Sequence, residues 1–148
     1  MFGAGYITND IKLTKVADHS SANTGDVSCA SVDMAENGGW DGVVFFTSYG
    51  TAAADNILKA AQSDDDGVAD DFTELASAAQ IASGSSDEDV VLDIQRPTKR
   101  YVKPVPERGT SSTCESVWAL RYRSRNRPIS NAVSGTMAVK QASSPAEV

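Results

Sequence analysis

Apolar and polar residues alternate along much of the chain, and alternation at period two marks half-buried strands. The clearest case is Asp89–Gly109, DVVLDIQRPTKRYVKPVPERG. Val90, Leu92 and Ile94 alternate with Val91, Asp93 and Gln95. Arg96-Pro97-Thr98-Lys99 then breaks the run, because proline lacks an N–H and turns the residue before it away from α. A second strand follows, with Tyr101 and Val105 on one face and Arg100 and Val102 on the other. Pro104 cannot donate to a ladder, which predicts an edge position.

The same reading places strands elsewhere. Ile11–Val16 has Ile11 and Leu13 on one face, and Asp18–Gly25 is polar and turn-rich. Val27–Met34 splits into Ser28, Ala30, Val32 and Met34 against Val27, Cys29 and Ser31. Trp40–Gly50, WDGVVFFTSYG, is apolar on both faces and bounded by glycines, which predicts a central strand covered on both sides. In Thr51–Gln62 the signals conflict: alanines and a cap at Asp55 favour helix, and a short strand over Asn56–Gln62 is the rival. Asp64–Asp71 is a loop. In Cys114–Tyr122, Ser116, Trp118, Leu120 and Tyr122 share a face, and Arg121, Arg123, Arg125 and Arg127 continue as an alternating basic stripe. Short strands separated by turns predict an all-β, single-domain β-sandwich, jelly-roll-like or Ig-like, with extended terminal arms. The expected division is an arm over 1–9, the sandwich over 10–128 and an arm over 129–148. The expected core between the sheets is Val44, Phe46, Leu92, Ile94, Trp118 and Leu120.

Composition narrows the function classes. A chain of 148 residues with 41% hydrophobic content supports one core. No apolar run reaches membrane-span length, and the N-terminus lacks the basic and apolar regions of a secretory signal. Met1–Asn9 and Asn131–Val148 carry too few large apolar residues to offset roughly 1–2 kcal/mol of ordering per residue, so both ends are expected to order only against a neighbour. Cys29 and Cys114 form no CxxC pair; they are buried free thiols or a disulfide between two strands.

Net charge is −7, but it is unevenly distributed. Residues 1–95 hold three cations against 17 carboxylates, a net −14, while residues 96–148 hold ten cations against three carboxylates, a net +7. The acidic total argues against a nucleic-acid partner. The cations Arg96, Lys99, Arg100, Lys103, Arg108, Arg121, Arg123, Arg125 and Arg127 form either a surface for an anionic partner or a solvated face balancing nearby carboxylates.

Chemistry-bearing motifs are sparse. An EF-hand loop started at Asp64 would have Ala69 where glycine is required and Leu75 where glutamate is required, so the acidic run reads as a solvated turn. His19, the sole histidine, sits in a polar loop, and the chain has no GxSxG, P-loop or GxGxxG. Neither an enzyme activity nor a cofactor is expected.

One set of residues goes further. It comprises Trp40-Asp41-Gly42-Val43-Val44-Phe45-Phe46, Gln62-Ser63-Asp64-Asp65, Thr73-Glu74-Leu75, Asp93-Ile94-Gln95-Arg96-Pro97, Lys99-Arg100-Tyr101-Val102-Lys103, Arg108-Gly109-Thr110 and Ser144-Pro145-Ala146-Glu147. In their order and spacing over residues 10–148, the chain resembles small structural proteins of tailed bacteriophages. The resemblance implies a strand over Asn56–Gln62. It also implies a virion component beside the major capsid protein, a capsid decoration or cement protein, with a head–tail connector or tail-tube role left open. A carbohydrate-binding adhesion module is the alternative from another class. A decoration protein would lie on the capsid surface and bind the major capsid protein. The charge polarity adds the expectation of a homotrimer, in which Arg100, Lys103, Arg121 or Arg123 faces carboxylates of a neighbour. Exposed ion pairs are weak, so Phe2 and Tyr6 of the N-terminal arm are expected to supply apolar contact.

Overall fold

The computed structural model describes residues 5–51, 56–76, 79–80, 86–109, 111–133 and 137–141. Among these the chain is all-β. Its strands are β1 (Ile11–Ala17), β2 (Ser20–Asn23), β3 (Val32–Asp33), β4 (Gly42–Thr51), β5 (Ile57–Ser63), β6 (Thr73–Glu74), β7 (Ala79–Gln80), β8 (Ser86–Gln95), β9 (Tyr101–Glu107), β10 (Ser112–Cys114) and β11 (Val117–Tyr122). Single 3-10 turns lie at Ile7–Asn9 and Glu36–Gly38.

All strand pairings are antiparallel. In the first sheet β4 is central, with β8 on one side and β11 and β10 on the other. β1 lies beyond β11, and β2 beyond β10. The second sheet runs β3-β9-β5-β6, with β7 also paired to β5. One core lies between them: Val43, Phe45, Tyr49, Val90, Leu92, Val117 and Ala119 meet Leu58, Ala60 and Val102.

The sandwich forms as expected, but two of its main strands face the other way. In β4 the buried residues are Val43, Phe45, Thr47 and Tyr49, and in β11 they are Val117, Ala119 and Arg121. Val44, Phe46, Trp118 and Leu120, expected inside, are only partly buried and lie on the outer face. Leu92 is buried as expected, and Ile94 packs at the margin of the core. Both faces of β4 are apolar, so alternation could not choose between them. Tyr49 decides the matter: its Oη donates to Ile57 O (3.2 Å) and Glu107 O (3.1 Å) on the opposite sheet, fixing the parity of the whole strand.

Other expectations shift locally. β5 is a strand, and the helical alternative yields to a continuous ladder from Ile57↔Glu107 to Ser63↔Tyr101. The expected turn over Asp18–Gly25 contains β2. Buried Arg108 holds this segment by donating to Ser20 Oγ (3.0 Å), Ser21 O (2.9 Å) and Gly25 O (2.7 Å). Within Val27–Met34 only β3 is a strand. The segment before it crosses between sheets, Val27 N donating to Pro106 O (3.0 Å) and Ala30 N to Val16 O (2.8 Å), so the predicted alternation is lost. The run Cys114–Tyr122 is interrupted at Glu115 and Ser116, separating β10 from β11.

β9 is not a simple edge strand. It lies between β3 and β5, yet β3 reaches only Tyr101 and Val102. Beyond that point the ladder with β5 passes through Pro104 and Pro106. Backbone N and O of one residue point to the same side of an antiparallel strand. Since Pro106 O faces Val27, the nitrogen that lacks a hydrogen faces the same open side and removes no bond from the β5 ladder.

The sandwich also extends past 128. Ile129 belongs to the core, and its N–H donates to Asn9 O (2.9 Å). Buried Asn131 donates to Thr8 O and Ile11 O, both at 2.8 Å, and accepts from Leu13 N (2.7 Å). Pairing to β1 and its approach outweighs the low apolar content of this segment. The expectations for residues 1–4, 134–136 and 142–148 fall outside the described residues.

Candidate functional site

The outer faces of the two sheets differ in chemistry. On the second sheet Lys59 Nζ bridges Glu107 (2.7 Å) and Glu74 (3.4 Å), and Lys103 Nζ sits 4.2 Å from the centre of the Phe72 ring. Charge and aromatic surface there are matched within the chain. On the first sheet the registers align two rows across four strands: Lys15, Trp118, Phe46, Val91, and beside it Leu13, Leu120, Val44, Asp93. Six of these eight residues are apolar, and Val91 is 60% exposed. Phe46, Val91 and Trp118 line an open depression of about 470 Å³ with Ser48, Asp89 and Ser116. This outward apolar surface is the candidate contact face of the molecule.

Charges fringe this face asymmetrically. Lys15 lies on β1, paired with Asp18 (2.6 Å). Asp89 and Asp93 lie on β8, accepting hydrogen bonds from Ser48 Oγ and from Tyr122 Oη (2.9 Å) respectively. The Tyr122 hydroxyl is pushed up to about 12, first by burial and then by the hydrogen bond to Asp93.

The basic residues singled out in the sequence do not gather into one free surface. Arg121 is 3% exposed. Its guanidinium lies 5.2 Å from the Trp40 ring centre, and its Nη1 donates to Asp33 O (2.7 Å) and Glu36 Oε2 (2.6 Å). Arg100 holds the Asp33 carboxylate with two hydrogen bonds, 3.0 and 2.8 Å, which keep that carboxyl below its ordinary range. Lys99 pairs with Asp70 (2.6 Å) and Arg127 with Asp10 (2.9 Å). In each pair the cation comes from the basic C-terminal part of the sequence and the anion from the acidic N-terminal part. The fold therefore joins the two charge blocks at these pairs: Arg121 is buried, Arg100 stays exposed within its pair with Asp33, and Lys103 lies against Phe72. Arg123 is exposed, at positive φ (+55°). Tyr6 is 38% exposed, and Phe2 falls outside the described residues.

The remaining candidates have structural duties. The Asp65 carboxylate accepts from the backbone N–H groups of Val68, Ala69 and Asp70 at 2.7–3.1 Å, which shapes the acidic loop. These backbone hydrogen bonds hold the Asp65 carboxyl low. His19 Nδ1 lies 3.2 Å from Glu115 Oε2 in an exposed pair. Cys29 and Cys114 are free thiols, and burial pushes Cys29 up to about 12, with Cys114 nearby adding to the shift. Among the described residues, no group of three or more His, Cys, Asp or Glu side chains is arranged to hold a metal ion. No helix in the described residues is long and apolar enough to cross a membrane.

Of the apolar face, Val44, Phe46, Trp118 and Leu120 are strand residues by pattern that the sequence reading places inside and the structure places outside. Arg121 is the misleading signal in β11: it shares parity with Val117 and Ala119, so polarity alone turns that face toward solvent.

No family model and no curated protein matches the chain. Among solved structures, a chain described under "Bacillus endospore appendages form a novel family of disulfide-linked pili" superposes with a TM-score of 0.41 at 14% identity. The superposition covers 83% of this chain and 95% of that one.

Proposed function

We propose that the protein is a virion structural subunit of the decoration or cement type. It lies on the surface of a tailed-bacteriophage capsid and binds the major capsid protein and copies of itself. The observation that supports this reading is the apolar outer face of the first sheet, built from Leu13, Val44, Phe46, Val91, Trp118 and Leu120. Sheet faces of this composition are stable when buried against protein, and they require no pocket and no chemistry. The long-range ion pairs of Asp33, Glu36 and Asp70 within the chain suit the same role, because they fix loops at one end of a rigid body. Arg123 is exposed at that end and offers a charge for a shell carboxylate.

The test is addition of the purified protein to particles lacking it, followed by sedimentation and electron cryo-microscopy. Density at many equivalent positions over the shell is expected, and Arg123→Glu should weaken it while the variant remains folded. Density confined to one ring at the portal vertex indicates a connector instead, and failure to bind any part of the particle removes the virion reading.

A further inference from the structure

We infer that the apolar face of the first sheet is covered by a second copy of the same chain, packed face to face about a two-fold axis parallel to the strands. This inference rests on the structural-subunit reading and names the partner of that surface. It follows from the order of residues across the face.

The row Lys15, Trp118, Phe46, Val91 runs from the β1 side of the sheet to the β8 side. Rotation by 180° about an axis parallel to the strands, placed between two such sheets, reverses the row. Trp118 of one copy then lies over Phe46 of the other, and Lys15 lies over Val91. Asp89 and Asp93 flank Val91 two positions to either side, on the same face of β8. Each Lys15 thus arrives between two carboxylates of the second copy, and each aromatic meets an aromatic. The second row reverses likewise, bringing Leu120 over Val44 and Leu13 over Asp93, next to the incoming Lys15. An isologous interface makes every such contact twice.

The charge pattern selects this arrangement over its rivals. A two-fold axis in the sheet plane but perpendicular to the strands would set Lys15 over Lys15 and β8 carboxylates over β8 carboxylates, which like-charge repulsion disfavours. A head-to-tail ring needs a second, complementary surface. Of the four cations expected to form one, Arg100 and Arg121 are bound to Asp33 and Glu36 of their own chain and Lys103 lies against Phe72, so the single exposed Arg123 would have to carry it. Within one chain Lys15 pairs with the exposed Asp18 (2.6 Å) and lies on the opposite flank of the face from Asp93, with β11 and β4 between them, so it reaches Asp89 and Asp93 only across the two-fold axis, where they add to the Asp18 contact. The face is about four strands wide, or roughly 15–20 Å at standard strand spacing. That is at the small end of stable interfaces.

The experiment is sedimentation equilibrium on the full chain over a wide concentration range, with thermal melts as a check on folding. Trp118 fluorescence is followed in parallel, since its emission should move to the blue as the face is covered. A monomer–dimer equilibrium is expected. Lys15→Glu, and separately Asp89→Lys with Asp93→Lys, should each weaken it by about tenfold or more, because every repulsion occurs twice. Combining the three substitutions should restore association, a rescue that a purely structural role for these side chains would not give. A monomer at all concentrations, a trimer, or a dimer indifferent to the charge reversals overturns the inference. Particle binding is measured separately. A monomer that still decorates particles overturns only the dimer, and a dimer that never binds particles overturns only the decoration reading.

Discussion

Tyr122 reaches over β4 to Asp93 on the far side, its Oη 2.9 Å from Asp93 Oδ1, and Gly42 is what lets it pass. A Cβ at Gly42 would lie 2.2 Å from Tyr122 Oη and 2.9 Å from Ile94 O. The first contact can be relieved by turning the tyrosine away, but the second involves backbone. Gly42→Ala should therefore break the bridge, lower stability by about 1–3 kcal/mol, and let the Tyr122 hydroxyl fall from about 12 toward its ordinary value. Ultraviolet titration of tyrosinate shows the second effect directly. An unchanged titration would mean that the bridge survives.

Adjacent phenylalanines in β4 should behave differently. Phe45 is fully buried, while Phe46 is half-buried on the outer face. Phe45→Ala should cost about 3–5 kcal/mol in urea unfolding. Phe46→Ala should cost clearly less and act mainly on association. Equal losses would contradict the parity that Tyr49 sets.

Arg121 and Arg123 stand two residues apart and should not be interchangeable. Removing the buried Arg121 guanidinium frees Asp33 O and Glu36, which are its acceptors at 2.7 and 2.6 Å. Glu36 is half in solvent and can rehydrate, so Arg121→Ala should cost about 2–3 kcal/mol rather than the full penalty of a stranded buried charge. Arg123→Ala, at an exposed site, should change stability by less than about 0.5 kcal/mol. Calorimetry on the two variants checks the contrast, and Arg123→Glu is the charge reversal suited to particle binding.

Acid should weaken the fold through Asp33. The Arg100 guanidinium holds the folded-state carboxyl below its unfolded value, first by hydrogen bonding and also by its charge. A depressed carboxyl contributes stability that is complete above the unfolded value of about 3.9 and is lost as pH falls through the lower folded value. Denaturation midpoints should thus hold near neutrality and drop below about pH 4, and Asp33→Asn should flatten that drop. An Asp33→Asn protein with the same acid profile as the original would place the sensitivity elsewhere.

Alternation in Val90–Gln95, glycine boundaries around β4 and the proline breaks were enough to specify a single all-β sandwich, because strand periodicity and turn chemistry are local properties of the chain. The tertiary structure alone decided which side of each strand faces in. β4 is apolar on both faces, so its parity waited on Tyr49 finding Ile57 and Glu107 across the core. A shift of one residue exchanges core and surface for the whole strand, which is how Val44, Phe46, Trp118 and Leu120 came to lie on the outer face. Charge followed the same logic. The sequence placed acids in its first part and cations in its second, but antiparallel pairing and loop closure brought Asp33 to Arg100 and Glu36 to Arg121, because charge neutralises in space rather than along the chain.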